Sequence, residues 1–320
     1  MPTREPGLNL HAARFLVGPT AVGKSAVAQW IAEQDGSEIL SADSMLVYRG
    51  MDIGTAKPSS AERRRVRYWG VDLVPAGEPF NVARFLEVAR SCFESAQTHG
   101  VKVIVVGGTG LYIKALTEGL ADVPTSDEPA RIRRRAVLEE LGVEGLQREL
   151  QSRNPAWYAA LPDPANARRL IRALELIEAG WVRPPETWRG VDGVPGLVGL
   201  AMPRETLRAR IAARVETMYA QGLLEETRRL VDEGFGASPT ARQAVGYAEA
   251  AACLEGQMTR EKAIGMTVQR TQRLAKRQMT WFRHQVTVKW VEVMPAQPVE
   301  EVAGRVMAAW RELGTTPVAV

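Results

Sequence analysis

The chain has 320 residues, of which 45% are apolar and 24% charged, with a formal net charge of +4, an ordinary globular composition for one or two domains. No apolar run reaches the ~20 residues of a membrane span, and the first residues lack the apolar core of a signal peptide. Two distant cysteines and three scattered histidines predict neither a disulfide framework nor a zinc cluster, so we expect a cytoplasmic protein that does not contact membranes.

Strands and helices alternate in the first 122 residues. The short apolar strand Arg14–Val17 precedes a glycine-rich loop and a helix, and the strand Glu38–Ser41 comes next. Helical periodicity over Asn81–Thr98 leads to the β-branched run Val101–Val106, which predicts a buried parallel strand ending at Gly107–Gly110. This order predicts an α/β fold, with a parallel sheet flanked by helices.

The alternation stops near residue 123. Residues 123–196 hold charge-rich helical segments separated by prolines, so we expect a helical insertion domain. The strand Leu197–Ala201 returns the chain to the sheet, which makes residues 1–122 and 197–320 one core. The other predicted elements are helices Asp127–Leu141, Val143–Ser152, Asn166–Ala179, Arg204–Gln221, Leu223–Glu233, Tyr247–Glu255 and about Arg260–Phe282, strand Val288–Val291 and helix Val299–Leu313.

The long helix near Arg260–Phe282 has two different sides. One side is an apolar stripe that consists of Ile264, Val268, Ala275, Met279 and Phe282. The other side carries Arg270, Arg273 and Arg277, which fits either a solvated surface or contact with nucleic acid or phosphate.

Residues 18–25 fit the phosphate-binding pattern G-x-x-x-x-G-K-[ST] in its required setting, between a strand and a helix. Backbone N–H groups of such a loop surround a phosphate at the positive end of the helix dipole. Lys24 adds a charge, and the Ser25 hydroxyl can bind Mg²⁺. The pattern predicts a P-loop NTPase-like core that binds a di- or triphosphate group, as nucleotide- and ATP-binding proteins do. The loop consists of Gly18, Pro19, Thr20, Ala21, Val22, Gly23, Lys24 and Ser25.

Two further strand ends belong to the same edge of a parallel sheet. Asp43 follows the second strand, and Thr109 lies between glycines after Val101–Val106. Each could act on a ligand or only cap a turn or helix, and both alternatives stay open. The Val101–Val106 strand ends in Gly-Gly-Thr and lacks the Asp that helps to hold Mg²⁺ in a typical NTPase. This favours a transferase that holds diphosphate as a leaving group.

Arginine is unevenly distributed. A single cluster fits a solvated helix face, but three clusters of one sign favour a polyanionic partner. The clusters are Arg131 with Arg133, Arg134 and Arg135; Arg168 with Arg169 and Arg172; and Arg270 with Arg273, Lys276 and Arg277.

Seven segments in a fixed order cover nearly the full length: Gly18–Ser25, Ser41–Tyr48, Gly50–Pro58, Val106–Tyr112, Arg169–Glu175, Arg242–Tyr247 and Ala275–Arg283. In these segments the chain resembles the bacterial tRNA dimethylallyltransferases, also called isopentenyl-tRNA transferases. The phosphate loop is shared by many families, whereas Gly50–Pro58 and Ala275–Gln278 are far more specific.

The resemblance implies transfer of a dimethylallyl group from dimethylallyl diphosphate to N6 of adenosine 37, next to the tRNA anticodon, with Mg²⁺ as cofactor. Asp43 would be the general base, because a carboxylate can accept a proton from the weakly nucleophilic amine. Thr109 and the phosphate loop would stabilise the departing diphosphate. The target base would flip into the site. Arg210 and Arg214, one helical turn apart, could assist, and we expect a monomer.

The resemblance also implies which residues contact tRNA, with the insertion domain gripping the anticodon stem-loop. They are Asp43, Ser44, Met45, Leu46, Thr109, Arg131, Arg168, Arg169, Leu170, Ile171, Arg172, Arg242, Gln243, Ala244, Val245, Gly246 and Tyr247.

The chain departs from the family pattern at Ala248, where a basic residue is common, and it lacks the residues for the C-terminal zinc finger of eukaryotic relatives. Two alternatives remain: a small-molecule or nucleotide kinase that uses the loop for ATP, and a non-catalytic RNA-binding P-loop protein. The arginine clusters and the missing strand-terminal Asp argue against the kinase. The carboxylate of Asp43 argues against a pure binding protein.

Overall fold

The computed structural model describes residues 11–120, 123–124, 128–185, 196–238 and 240–320. The chain divides into two compact units: unit 1 is residues 1–119 with 191–320, and unit 2 is residues 120–190. The predicted helix start at Asp127 and the predicted domain edge at residue 122 lie outside the described residues. No helix in the described part of the chain is long and apolar enough to cross a membrane.

Unit 1 contains a seven-stranded sheet with the order β3-β2-β4-β1-β5-β6, and β7 pairs with the start of β1. All neighbouring strands along this order run parallel, and only β7 is antiparallel. The predicted α/β class with a parallel sheet is confirmed. The strands are β1 His11–Val17, β2 Glu38–Ala42, β3 Tyr68–Trp69, β4 Val103–Gly107, β5 Leu197–Ala201, β6 Val288–Glu292 and β7 Thr316–Val318.

The buried strands follow from the sequence. Every residue of β2 and of β4 is buried, as expected for parallel strands that are covered on both faces. The two strands that the sequence did not predict, β3 and β7, have two and three residues. Such short segments are too brief to display a periodicity.

Twelve α-helices lie in the described ranges. The helices are α1 Lys24–Asp35, α2 Ser60–Arg65, α3 Val82–His99, α4 Gly110–Glu118, α5 Glu128–Arg153, α6 Pro155–Ala159, α7 Ala167–Glu178, α8 Arg204–Ala220, α9 Leu223–Asp232, α10 Tyr247–Leu254, α11 Arg260–Gln285 and α12 Val299–Leu313. Two 3₁₀ turns, Phe235–Ala237 and Ala241–Gln243, precede α10.

Helix α11 has the two sides that its sequence predicts. Ala275 and Phe282 are buried in the core of unit 1, and Ile264 and Val268 pack against that core. On the other side Arg273 and Arg277 are exposed. Arg270 differs, because its guanidinium pairs with the buried carboxylate of Glu249.

The described residues of unit 2 form helices joined by loops, with no strand among them, and they have their own apolar core. Helix α5 is broken at Gly142, which has a φ of +65°, so the two predicted helices meet at this residue. Helix α6 was not predicted. The fully or largely buried core residues are Leu146, Leu150, Trp157, Leu170, Ile171, Ala173, Leu174 and Leu176.

The register of the central strands brings three strand ends together. Val17 at the end of β1 is paired with Gly107 at the end of β4, and Gly107 is also paired with Ala42 at the end of β2. The segments that follow these three strands therefore leave the same edge of the sheet side by side, where open α/β sheets bind their ligands.

Candidate active site

The phosphate loop runs from the end of β1 into the first turn of α1. Gly18 has a φ of +139°, and a Cβ there would lie 2.6 Å from the carbonyl oxygen of Leu200, so only glycine fits. Gly23 caps α1 with a φ of 108°. The N–H groups of the first helical turn, which have no partner within the helix, therefore face the loop and suit an anion.

Lys24 folds back onto its own loop. Its Nζ donates a hydrogen bond of 2.7 Å to the carbonyl oxygen of Pro19. The pKa of Lys24 is lowered from 10.5 to about 8, mainly by burial and also by the charge of Arg214, while the charge of Asp43 opposes both. The ammonium group is thus a poorly solvated cation that an anionic ligand would stabilise.

Asp43 directly follows β2 and is half-buried. Its Oδ1 accepts a hydrogen bond of 2.9 Å from the backbone N–H of Met45, the Asx-turn role that the sequence left open. The same carboxylate lies close enough to Lys24 and Arg214 to raise the pKa of both cations. Asp43 therefore has a turn role and also belongs to the charge cluster around the phosphate loop.

Thr109 connects two of the strand ends. Its backbone N–H donates to the carbonyl oxygen of Ala42 (3.2 Å), and its Oγ1 accepts from the backbone N–H of Ser44 (3.1 Å). Its side chain does not cap α4, at whose N-terminus it lies. The predicted site residues Asp43, Ser44 and Thr109 are thus neighbours, while a contact of Thr109 with diphosphate stays a prediction.

Two arginines of α8 complete the cluster of cations. Arg210 lies beside the phosphate loop, with its Nη2 3.8 Å from the position that a Cβ on Gly23 would take. Nη2 of Arg214 donates to the carbonyl oxygen of Thr55 (3.3 Å). Burial lowers the pKa of Arg214, as does the charge of Arg210, while Asp43 raises it. Three positive side chains at one loop suit a polyanion such as a diphosphate.

Gln278 of α11 also contacts this edge, although sequence reasoning assigned it no role of its own. Its Oε1 accepts a hydrogen bond of 2.8 Å from the backbone N–H of Thr20. Its Nε2 donates to the carbonyl oxygen of Gly108 at 3.1 Å. The signal in the sequence was only the motif Ala275–Arg283, because nothing in that run indicates which loop its glutamine meets.

The motif Gly50–Pro58 is held by buried charges. The Glu226 carboxylate, 2% exposed, accepts hydrogen bonds from the backbone N–H groups of Asp52, Ile53 and Gly54. The buried Lys57 ammonium donates to the carbonyl oxygen of Tyr48 at 2.7 Å and pairs with Asp52 and Asp72 at 2.6 Å each. These contacts fix the loop that also supplies the carbonyl oxygen of Thr55 to Arg214.

The residues for which the resemblance implies contact with tRNA differ in exposure. In unit 2, Arg168 and Arg169 are exposed, whereas Leu170 and Ile171 are core residues. Of the same set, Arg131 and Arg172 lie 3.5 Å and 3.2 Å from the buried Glu175 carboxylate. Their contact with RNA stays a prediction.

The segment 242–247 in unit 1 is likewise divided. Arg242 and Gln243 are exposed, and Val245 is half-buried. Ala244, Gly246 and Tyr247 are buried, so this segment presents only its first residues as a surface. Met45, Leu46 and Ala248 are half-buried.

The oxygen donors at the loop suit a phosphate-bound Mg²⁺. No group of three or more His, Cys, Asp and Glu side chains in the described ranges is arranged to hold a metal ion. Mg²⁺ at phosphate sites typically takes only one or two protein oxygens and completes its shell with phosphate and water. The exposed hydroxyl of Ser25, in the first turn of α1, is such an oxygen.

Comparisons with known proteins agree over most of the length. Residues 46–285 match the family described as IPP transferase, and residues 11–71 match isopentenyl transferase. The tRNA dimethylallyltransferase 2 of Syntrophus aciditrophicus is 41% identical over 295 residues, which are 91% of this chain and 94% of the relative. The tRNA dimethylallyltransferase of Geobacter metallireducens is 42% identical over 281 residues, 86% of this chain and 90% of the relative.

A solved structure is similar as well. The full-length tRNA isopentenylpyrophosphate transferase from Bacillus halodurans superposes with a TM-score of 0.67 at 35% identity, covering 94% of this chain and 97% of its own. This likeness confirms the predicted P-loop NTPase-like sheet flanked by helices.

Proposed function

We propose, since this chain belongs to the IPP transferase family, that it transfers a dimethylallyl group from dimethylallyl diphosphate to N6 of adenosine 37 of tRNA. The bond between C1 of the allyl group and the diphosphate oxygen breaks, a bond from C1 to N6 forms, and diphosphate leaves. The observation that carries the proposal is the set of Lys24, Arg210 and Arg214 around the phosphate loop, with the Asp43 carboxylate among them.

Diphosphate departure is the step that this cluster of cations would assist. Negative charge grows on the bridging oxygen as the allylic carbon separates, and fixed cations and N–H groups stabilise that charge without reorganising. Lys24 and Arg210 lie against the loop, and the N-terminus of α1 adds its unpaired N–H groups. Ser25 would hold Mg²⁺, which when bound supplies further positive charge to the leaving group.

Asp43 would accept the proton that N6 loses as the new bond forms. The exocyclic amine of adenine is a poor nucleophile because its lone pair is delocalised into the ring, so a base in hydrogen-bond reach helps. One oxygen of Asp43 is engaged with the N–H of Met45, which leaves its other oxygen for the substrate. Thr109 would act mainly on the Asp43–Ser44 segment, through the N–H of Ser44.

RNA binding would rest on exposed cations. Arg168 and Arg169 are exposed in unit 2, and Arg242, Arg273 and Arg277 are exposed in unit 1, so each set is accessible to RNA phosphates. Adenosine 37 is stacked in that loop, so it must flip out to reach a base such as Asp43. The exposed arginines support tRNA as the acceptor.

A single assay tests the proposal. The protein is incubated with labelled dimethylallyl diphosphate, Mg²⁺ and unmodified tRNA with adenosine at position 37, beside the same tRNA with guanosine there. Label is expected only in the adenosine-37 tRNA, together with released diphosphate. Phosphorylation of a small acceptor by ATP without label in tRNA would replace this proposal with a kinase. Tight tRNA binding with no transfer would leave a non-catalytic RNA-binding protein.

A further inference from the structure

The side-chain amide of Gln278 connects two loops of the candidate active site. Its Oε1 accepts from the N–H of Thr20 in the phosphate loop, and its Nε2 donates to the carbonyl oxygen of Gly108 after β4. Both the oxygen and the nitrogen of the amide are therefore hydrogen-bonded, and the two bonds together fix the distance between the two loops.

The surroundings of this amide are shaped for it. A Cβ on Gly108 would lie 2.3 Å from Nε2 of Gln278, so the glycine leaves the space that the amide occupies. A Cβ on Gly110 would likewise lie 2.3 Å from Trp281, which follows Gln278 by about one turn of α11. Because Ala275 and Phe282 anchor α11 in the core, Gln278 extends from a rigid support.

The hydrogen bond to Gln278 also determines which N–H groups of the phosphate loop remain for a ligand. The N–H of Thr20 is directed to Gln278, so it is committed within the protein and the other N–H groups of the loop remain for phosphate. A loop binds an anion well only if its N–H groups already converge before binding, since ordering them on binding costs affinity.

We propose that Gln278 is a positioning residue that holds the phosphate loop in its diphosphate-binding shape by tying Thr20 to Gly108. This inference rests on the proposed function only for the identity of the natural ligand, dimethylallyl diphosphate. Inorganic diphosphate, which shares the recognised chemistry, serves as the probe.

Two variants disturb this amide from opposite sides. Gln278→Met keeps the size of the side chain but removes both hydrogen bonds, whereas Gly108→Ala keeps a glutamine at position 278 and displaces its amide by a steric clash. Each is expected to raise the Kd of inorganic diphosphate, measured by calorimetry, about tenfold, the loss of about one hydrogen bond of each loop. In the transfer assay KM for dimethylallyl diphosphate should rise similarly, with kcat and the KM for tRNA within about threefold.

The double variant separates positioning from general damage. Because both changes remove the contact of the amide with Gly108, Gln278→Met with Gly108→Ala should raise the Kd by less than the product of the two single effects, although a Cβ at position 108 would also lie 3.3 Å from the carbonyl oxygen of Gly18. Thermal midpoints should stay near that of the wild type, and Gln97→Met, on the exposed surface of α3, should bind diphosphate normally.

The proposal is overturned if Gln278→Met binds diphosphate within twofold of the wild type, or if the two single effects multiply in the double variant. The proposed function fails separately: a wild type that binds diphosphate but prenylates no tRNA would leave the Kd comparison a valid test of Gln278. A wild type that binds no diphosphate would overturn both.

Discussion

The hydroxyl of Tyr247 donates a hydrogen bond of 2.5 Å to Oε1 of Glu226 inside unit 1. The burial of Tyr247, together with this charged acceptor, raises the pKa of its hydroxyl, so the phenol stays protonated and can donate. Because Glu226 also accepts hydrogen bonds from the backbone of Asp52–Gly54, the two residues together anchor the Gly50–Pro58 motif. The family resemblance implied RNA contact for Tyr247, and its position gives the side chain a structural task.

Removing this hydroxyl should lower stability without affecting RNA binding. Tyr247→Phe is expected to reduce the free energy of unfolding by about 1 kcal/mol, and Glu226→Ala by about 3 kcal/mol, because the latter leaves the N–H groups of Asp52–Gly54 without their acceptor. Urea denaturation measures both. Tyr158→Phe, at a half-buried position in unit 2, is the matched control. A large rise in the KM for tRNA in a fully folded Tyr247→Phe protein would contradict this assignment.

The role of Asp43 as base can be separated from its role in the turn. Asp43→Asn keeps an oxygen for the N–H of Met45 but cannot accept the N6 proton. We expect kcat to fall by about 10²–10⁴-fold while the Kd of diphosphate changes little. Asp232→Asn, exposed at the end of α9, should transfer normally. Near-normal kcat in Asp43→Asn would remove Asp43 as the base.

The lowered pKa of Lys24 predicts a pH dependence of donor binding. The ammonium binds diphosphate, and the free protein loses this proton as the pH rises through about 8. The Kd of dimethylallyl diphosphate should thus be steady just below pH 8 and rise above it, approaching tenfold per pH unit.

The control for this prediction keeps a permanent charge. Lys24→Arg should bind more weakly, because a guanidinium fits the loop differently, but its Kd should lack the inflection near pH 8. An inflection of equal size in Lys24→Arg would assign the titration to another group.

Arg210 should act on the donor and not on tRNA. Since its guanidinium lies beside Gly23, Arg210→Gln is expected to raise the KM for dimethylallyl diphosphate about tenfold. Arg208→Gln changes an exposed arginine of the same helix that pairs with Glu205, and should leave this KM unaltered. Equal effects of the two substitutions on this KM would show that it responds to the total positive charge of α8 and not to the position of Arg210.

Contact of unit 2 with RNA phosphates should appear in the salt dependence. Replacing Arg168 and Arg169 with Gln removes two exposed charges, so the slope of log K against log salt for tRNA should become shallower by about 0.7–0.9 per lost contact. Arg148→Gln, exposed in the same unit, is the comparison. An unchanged slope in the double variant would place the RNA-binding surface elsewhere.

Local sequence determined much of the framework. The parallel strand β4 appears as an apolar run because both of its faces are buried, and the break of α5 at Gly142 could be predicted because glycine tolerates a positive φ. The position of the phosphate loop between β1 and α1 also followed from its motif. These features depend on residues that are neighbours in the chain.

Contacts between distant segments could not be predicted from the sequence. Nothing local indicates that Gln278 meets Thr20, 258 residues away, or that Tyr247 points into the core towards Glu226 while Arg242 points to solvent. Likewise, burial next to Asp43 and Arg214 sets the pKa of Lys24, and burial is a property of packing. The sequence by itself determined the family, the fold class and the loop that suits a phosphate. Only the tertiary structure decided which side chains surround that loop, because strand register and helix packing set their distances.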